Sequence, residues 1–169
     1  MRNYPSPQAL NSSYQRTGWI ISKQAEGLSH ADSLLQLPFR GNCMNWVLGH
    51  ILNSRERVLQ SLDDAGLLDE SYQTRYRRGS EPVNEESQDI LPLESLLESL
   101  LEKLTESQTR IISALTKMEP AALERLVPVA QQSELLGERL ASLHWHETYH
   151  TGQLEILRQL AGTNDRIIG

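Results

Sequence analysis

The stretch Leu143-His144-Trp145-His146-Glu147-Thr148-Tyr149-His150-Thr151-Gly152-Gln153-Leu154 lies inside a block, residues 133 to 161, whose apolar positions recur at helical spacing. Leu136, Leu140, Leu143, Leu154, Leu157 and Ala161 fall on one line, with Gly162 placed to cap the end. Across the middle of that line leucine gives way to polar residues: steps of three and four from Leu143 reach Glu147 and His150 before Leu154, and His146 stands one turn before His150. The reading that follows is a helix whose core-facing side turns polar for two turns. Such a helix needs other helices to bury its leucines and a partner to satisfy its acid and imidazoles.

Three further blocks supply the helices. The first is predicted over residues 9 to 36, with Leu10, Tyr14, Thr17, Ile21, Gln24, Leu28, Ala31 and Leu35 on one stripe and Pro38 as the stop. The second opens at Asn42 as N-cap, carries Met44, Val47, Leu48, Ile51, Leu52, Val58, Leu59 and Leu62, and ends before Asp63-Asp64-Ala65-Gly66. The third starts at Pro92 and repeats Leu93, Leu97, Leu100, Leu104, Ile111, Ala114 and Met118, followed by a short helical piece from Pro120 to Leu126. Between the second and third helices lie roughly 28 residues, 63 to 91, long enough to travel the length of a bundle rather than make a tight turn. The expected fold is therefore all-α: a four-helix bundle, up-down-down-up, with that long crossover, in one domain spanning residues 1–169.

Composition narrows the function. With 38% hydrophobic and 22% charged residues, the chain of 169 residues is neither a disordered tail nor a membrane protein. No window approaches 18 uncharged apolar residues, and MRNYPSPQAL lacks the features of a secretory signal, so a cytoplasmic location is expected and no membrane partner. A net charge of −6 speaks against a phosphate-neutralising surface, so nucleic acid is not an expected partner either. The single cysteine, Cys43, excludes an internal disulfide and reads as a small apolar filler.

His146 and His150, at i and i+4, stand about 6 Å apart along one helix face, a spacing at which two imidazoles grip one ion. On spacing alone His50, one turn after Trp46 on the second helix, is either a hydrogen-bonded core residue or a third ligand. Three imidazoles from two helices suit zinc, nickel, iron or copper and leave a coordination position open, as catalytic sites do. His144, two residues before His146, points away from that face, and His30 lies one position off the core line of the first helix; neither is assigned to the ion. His146-Glu147-Thr148-Tyr149-His150 also fits the H-E-x-x-H pattern of zinc peptidases with Glu147 as general base, but no histidine follows His150 as a third ligand. Glu147 is otherwise an acceptor for a ligand or an interhelical anchor.

The chain resembles the DinB/YfiT-like superfamily of metalloenzymes, through Asn45-Trp46-Val47-Leu48-Gly49-His50-Ile51 and His146-Glu147-Thr148-Tyr149-His150-Thr151-Gly152-Gln153, in the same order along residues 10 to 165. The resemblance implies a four-helix bundle with a divalent ion, zinc, nickel or iron, on His50, His146 and His150. It also implies a small-molecule substrate, a homodimer, and thiol-dependent S-transfer or isomerisation with a low-molecular-weight thiol, water activation of the hydrolase type being the other outcome. A non-enzymatic metal-binding helical module is the remaining reading. Around the ligands, Gln153 is placed to orient His150, Asn45 either contacts the site or caps its helix, and Trp46 is placed to wall a pocket. Trp145 reads as a core or interface aromatic. Gly49 and Gly152 sit inside helices at about 1 kcal/mol each relative to alanine, for close backbone approach or substrate clearance. In the crossover, Arg75, Arg77 and Arg78 are candidates for a carboxylate on substrate or thiol, or else pair with Glu85, Glu86 and Asp89 in a solvated loop.

Overall fold

The computed structural model describes residues 4–81, 83–84 and 96–168. Among them the elements in chain order are α1 (Pro7–Ala25), α2 (His30–Ser33), α3 (Met44–Ser61), α4 (Glu70–Arg75), α5 (Leu97–Lys117), a 3₁₀ turn (Pro120–Glu124), β1 (Leu126–Val129), β2 (Gln132–Leu135) and α6 (Leu136–Leu160). Four are long. α1 packs against α5 and α6, and α3 packs against the same two, so the long helices form a ring around a shared interior.

The helix boundaries differ from expectation where local chemistry overrides the apolar period. The first block breaks into two: α1, opened by Ser6 with Pro7 in its first turn, ends at Ala25. Gly27 then adopts φ +78°, and Ser29 starts the short α2 through a reciprocal capping box with Asp32. The second helix is capped at Cys43, not Asn42, and without a side-chain bond. The expected start at Pro92 lies outside the described residues, as do Glu85, Glu86 and Asp89. The segment after α3 is not a solvated loop in its first part: α4 buries Tyr72, and Tyr76 follows it fully buried.

The protein is mostly helical, as expected, with one unforeseen addition: a small antiparallel hairpin, Leu126↔Leu135 to Val129↔Gln132, that runs directly into α6. Its two-residue turn carries Ala130 at φ 52°, where hairpins ordinarily place Gly, Asn or Asp. With alanine in that place, no hairpin signal is present in the residues themselves.

The interior is not continuous hydrocarbon. One apolar cluster gathers Ile21, Leu52, Leu104 and Leu154 with Trp46, Tyr72 and Tyr76. The other gathers Tyr14, Val58, Ile111 and Leu143 with Leu136 and Leu140. Between them each long helix contributes one buried polar residue: Thr17 from α1, Arg55 from α3, Ser107 from α5 and Glu147 from α6. Arg55 and Glu147 are each only 1% exposed and form a two-pronged ion pair, Nε to Oε2 at 2.8 Å and Nη2 to Oε1 at 2.9 Å. Thr17 donates to Glu147 Oε1 at 2.5 Å, and Arg55 Nη1 donates to the Leu104 carbonyl and to Ser107. Every charge in this layer therefore meets a partner inside the protein, which burial demands.

Candidate metal centre

One helical turn from that layer, α3 and α6 bring three imidazoles together. His50 comes from α3, and His146 and His150 come from successive turns of α6. The ring centroids are 5.1 Å apart for His50 and His146, 4.8 Å for His50 and His150, and 4.5 Å for His146 and His150. One nitrogen from each ring lies within 4.8 Å of the others.

Two of the rings are oriented from outside. His50 Nδ1 lies 2.6 Å from the Tyr76 carbonyl oxygen, and since a carbonyl only accepts, that nitrogen carries the proton and Nε2 presents its lone pair. His150 Nδ1 lies 2.7 Å from Gln153 Oε1, which fixes the same tautomer. His146 has no such partner: its Nδ1 is buried without a hydrogen bond among the described residues, while its Nε2 sits 3.3 Å from His50 Nε2. Two nitrogens held by one tetrahedral ion at 2.0–2.1 Å are about 3.3 Å apart, so this pair already has the spacing of two ligands. Burial lowers the pKa of all three rings. For His146 burial and the neighbouring imidazoles bring it down to about 4; for His50 burial outweighs the hydrogen bond it donates to the Tyr76 carbonyl, and for His150 it outweighs the one it donates to Gln153. A lowered pKa favours the neutral ring, the state in which imidazole binds a cation. The donor set therefore fits a divalent ion.

The surroundings explain several of the singled-out residues. Trp46 stacks on His50, centroids 4.6 Å apart and planes at 13°, and donates from Nε1 to Ser80 at 2.9 Å. Asn45 does not line the cavity: it is fully buried and accepts from the Tyr76 hydroxyl at 2.9 Å, which links it to His50 through Tyr76. Gly49 is needed for that same tyrosine, because a Cβ there would run into the Tyr76 ring. Gly152 has no such reason, since a Cβ would meet nothing within 4 Å. His30 accepts from the Leu97 backbone N–H at the start of α5, and His144 packs edge-on to Tyr14; neither joins the cluster.

A cavity of about 700 Å³ opens over the histidines, in the range of small-molecule sites. Arg78 lines it; Arg75 instead donates to the Glu81 carbonyl, and Arg77 is exposed outside the lining. Trp145 is no core aromatic. It is 69% exposed and stands at the mouth with Tyr149, one turn on. Sequence reasoning missed Tyr76, whose carbonyl carries no residue signature, and Arg40, which a loop brings to the same mouth. It also missed Arg55, for which a signal existed: it interrupts the α3 stripe between Leu52 and Val58 as Glu147 interrupts that of α6.

Glu147 itself faces the interior layer rather than the cavity. Burial pushes its carboxyl up, but the Arg55 guanidinium and the hydrogen bonds from Arg55 and Thr17 outweigh this and hold it below the usual carboxylate range. An anion so committed is a poor general base, which removes the physical ground for the peptidase reading of H-E-x-x-H.

The family model of the DinB superfamily matches residues 22–154. A solved structure described as the conserved protein of locus from Enterococcus faecalis has the same fold, with a TM-score of 0.70 at 15% identity over 92% of this chain and 97% of that one. No curated protein matches. Among the described residues no helix is long and apolar enough to cross a membrane.

Proposed function

The chain belongs to the DinB superfamily, and from that premise we propose that it is a metal-dependent enzyme whose centre is His50, His146 and His150. The observation that carries the reading is the convergence of these rings: His50 and His150 have Nδ1 anchored on oxygen, which leaves the lone pair of each on Nε2, and His146 brings its Nε2 to 3.3 Å from His50 Nε2. A divalent ion held by three imidazoles, zinc or nickel foremost and iron next, lowers the pKa of a thiol or water and stabilises developing negative charge. The chain's own contribution is positional. Tyr76 and Gln153 hold the ligand rings, Trp46 covers one face of His50, and the cavity leaves room for a small substrate on the open side.

Thiol chemistry of the S-transferase or isomerase type is favoured over hydrolysis by the resemblance, and the thiol must come from outside the chain. Cys43 is buried, its Sγ lies 3.1 Å from the Val83 carbonyl, and burial pushes its thiol up. The bundle is read as one domain in up-down-down-up order. Support comes from residue order across the contacts: Asn11 meets Thr116 and Tyr14 meets Gln108, whereas Tyr14 meets Leu140 and Thr17 meets Glu147.

The test is metal analysis of protein purified without added metal, beside His150→Ala. About one divalent ion per chain, lost in the variant while the helical spectrum is retained, is expected. Equal metal content in both overturns the proposal.

A further inference from the structure

The walls of the histidine cavity do not share the charge of the molecule around them. The chain carries 22 acidic against 16 basic residues, yet among the described residues lining this cavity there is no carboxylate. Two arginines are there instead, and they come from separate places: Arg40 from the segment before α3, Arg78 from the segment after α4. Both are exposed, and neither pairs with a carboxylate among the described residues. A guanidinium at each of two mouth positions, with no carboxylate of the described residues paired to it, is an arrangement for holding an anion by charge-assisted, two-pronged hydrogen bonds.

The rim has a second property. Phe39, Trp145, Tyr149 and Ile156 are each more than half exposed, and all four line this one cavity. Trp145 and Tyr149 lie nearly parallel, 23° between planes, on successive turns of α6. Large apolar side chains held in water around a concave site mark a surface that gains by being covered. Flat rings accept a flat apolar body, and aromatic side chains beside arginines accept one that also carries negative charge.

We propose that the cavity over the three histidines takes a small organic anion with a planar apolar body, and that Arg40 and Arg78 select its charge while Phe39, Trp145 and Tyr149 receive the body. This deepens the proposed function and rests on the cavity being a substrate site, but the charge preference belongs to the arginines and not to the ion. The two are separable.

Calorimetric titration of the full chain with 1-naphthoate, 1-naphthamide and 1-naphthylmethylammonium separates them, since the probes share a ring system and differ in charge. On zinc-loaded protein naphthoate is expected to bind at least about tenfold more tightly than the amide, with the cation weakest. In Arg40→Gln/Arg78→Gln the preference should fall to within about twofold while zinc content stays unchanged, and Arg40→Lys/Arg78→Lys should retain a preference for the anion. Equal binding of naphthoate and naphthamide by the unaltered protein overturns the proposal. So does a preference that survives in the glutamine variant, which would assign it to the ion. Titration of chelator-stripped protein distinguishes the two readings: a preference that persists there and vanishes in the glutamine variant upholds the arginine site even where metal analysis has failed. A dimer that binds no probe and dissociates in Trp145→Ala also overturns it, because a second copy is then the occupant.

Discussion

Glu147 and its neighbours His146 and His150 are separated by at most three residues of one helix, and their partners Arg55 and His50 by five residues of another, yet the two polar regions are solved in opposite ways. Around Glu147 the protein supplies both signs of charge and nearly all the hydrogen bonds, and the result is closed. Around the histidines it supplies only lone pairs and the rings that orient them, and the result is open toward a cavity. The difference teaches how to tell a structural polar core from a functional one when both are buried in the same interface. In the first, each deletion strands a charge; in the second, what is missing is already missing in the native chain.

The comparison breaks most sharply at Glu147. Glu147→Gln leaves the Arg55 guanidinium buried without its counter-charge, and urea denaturation should show a loss of about 3–5 kcal/mol. Replacing both partners, as Arg55→Met/Glu147→Leu, should recover much of it. A loss no larger than that of an exposed pair would mean that the layer is not closed at all. Next in size is Gln153→Leu, which should leave the fold in place and weaken zinc binding by about 10–100-fold in a competition titration, because His150 loses the acceptor that fixes its tautomer. An unchanged affinity would make the Gln153 contact incidental.

Acid should separate the two regions on the pH axis. The histidines have pKa values below their ordinary 6.5, for His146 down to about 4, so the unfolded chain takes up protons first as pH falls. Their neutral, buried state contributes stability that is fully present above about 6.5 and is lost toward 4 in metal-free protein. Glu147 is likewise depressed, but from 4.5, so its contribution survives until pH drops below that value. Thermal unfolding of the stripped protein should decline in the upper window, and zinc should raise stability there without flattening the decline, because the native rings take up no protons in either form. The smallest effect sharpens the reading of the glycines: Gly152→Ala should stabilise by about 0.5–1 kcal/mol, whereas Gly49→Ala should destabilise, since only the second meets Tyr76.

Much of this was legible in the chain before any coordinates. Apolar periods located the long helices, and polar residues on the α6 stripe pointed to the imidazole cluster. The same logic applied to α3 would have found Arg55 and hence the partner of Glu147. Other features leave little trace in residue identity. The stripe through Leu28, Ala31 and Leu35 stays in phase across Gly27, so periodicity concealed the break between α1 and α2. The β1–β2 turn rests on an alanine in a conformation that glycine or asparagine usually announces. The carbonyl of Tyr76 is backbone, which every residue possesses, and its meeting with His50 depends on a distant stretch of chain returning to α3.

That tyrosine has one further implication. Its hydroxyl, ring and carbonyl engage Asn45, Gly49 and His50, so a single crossover residue spans the first two turns of α3. Swapping or shortening the crossover would therefore retune the electron-donating strength of one imidazole while both ligand-bearing helices kept their residues. Redesign of this scaffold for a different reactivity has a handle there that leaves the coordinating side chains untouched.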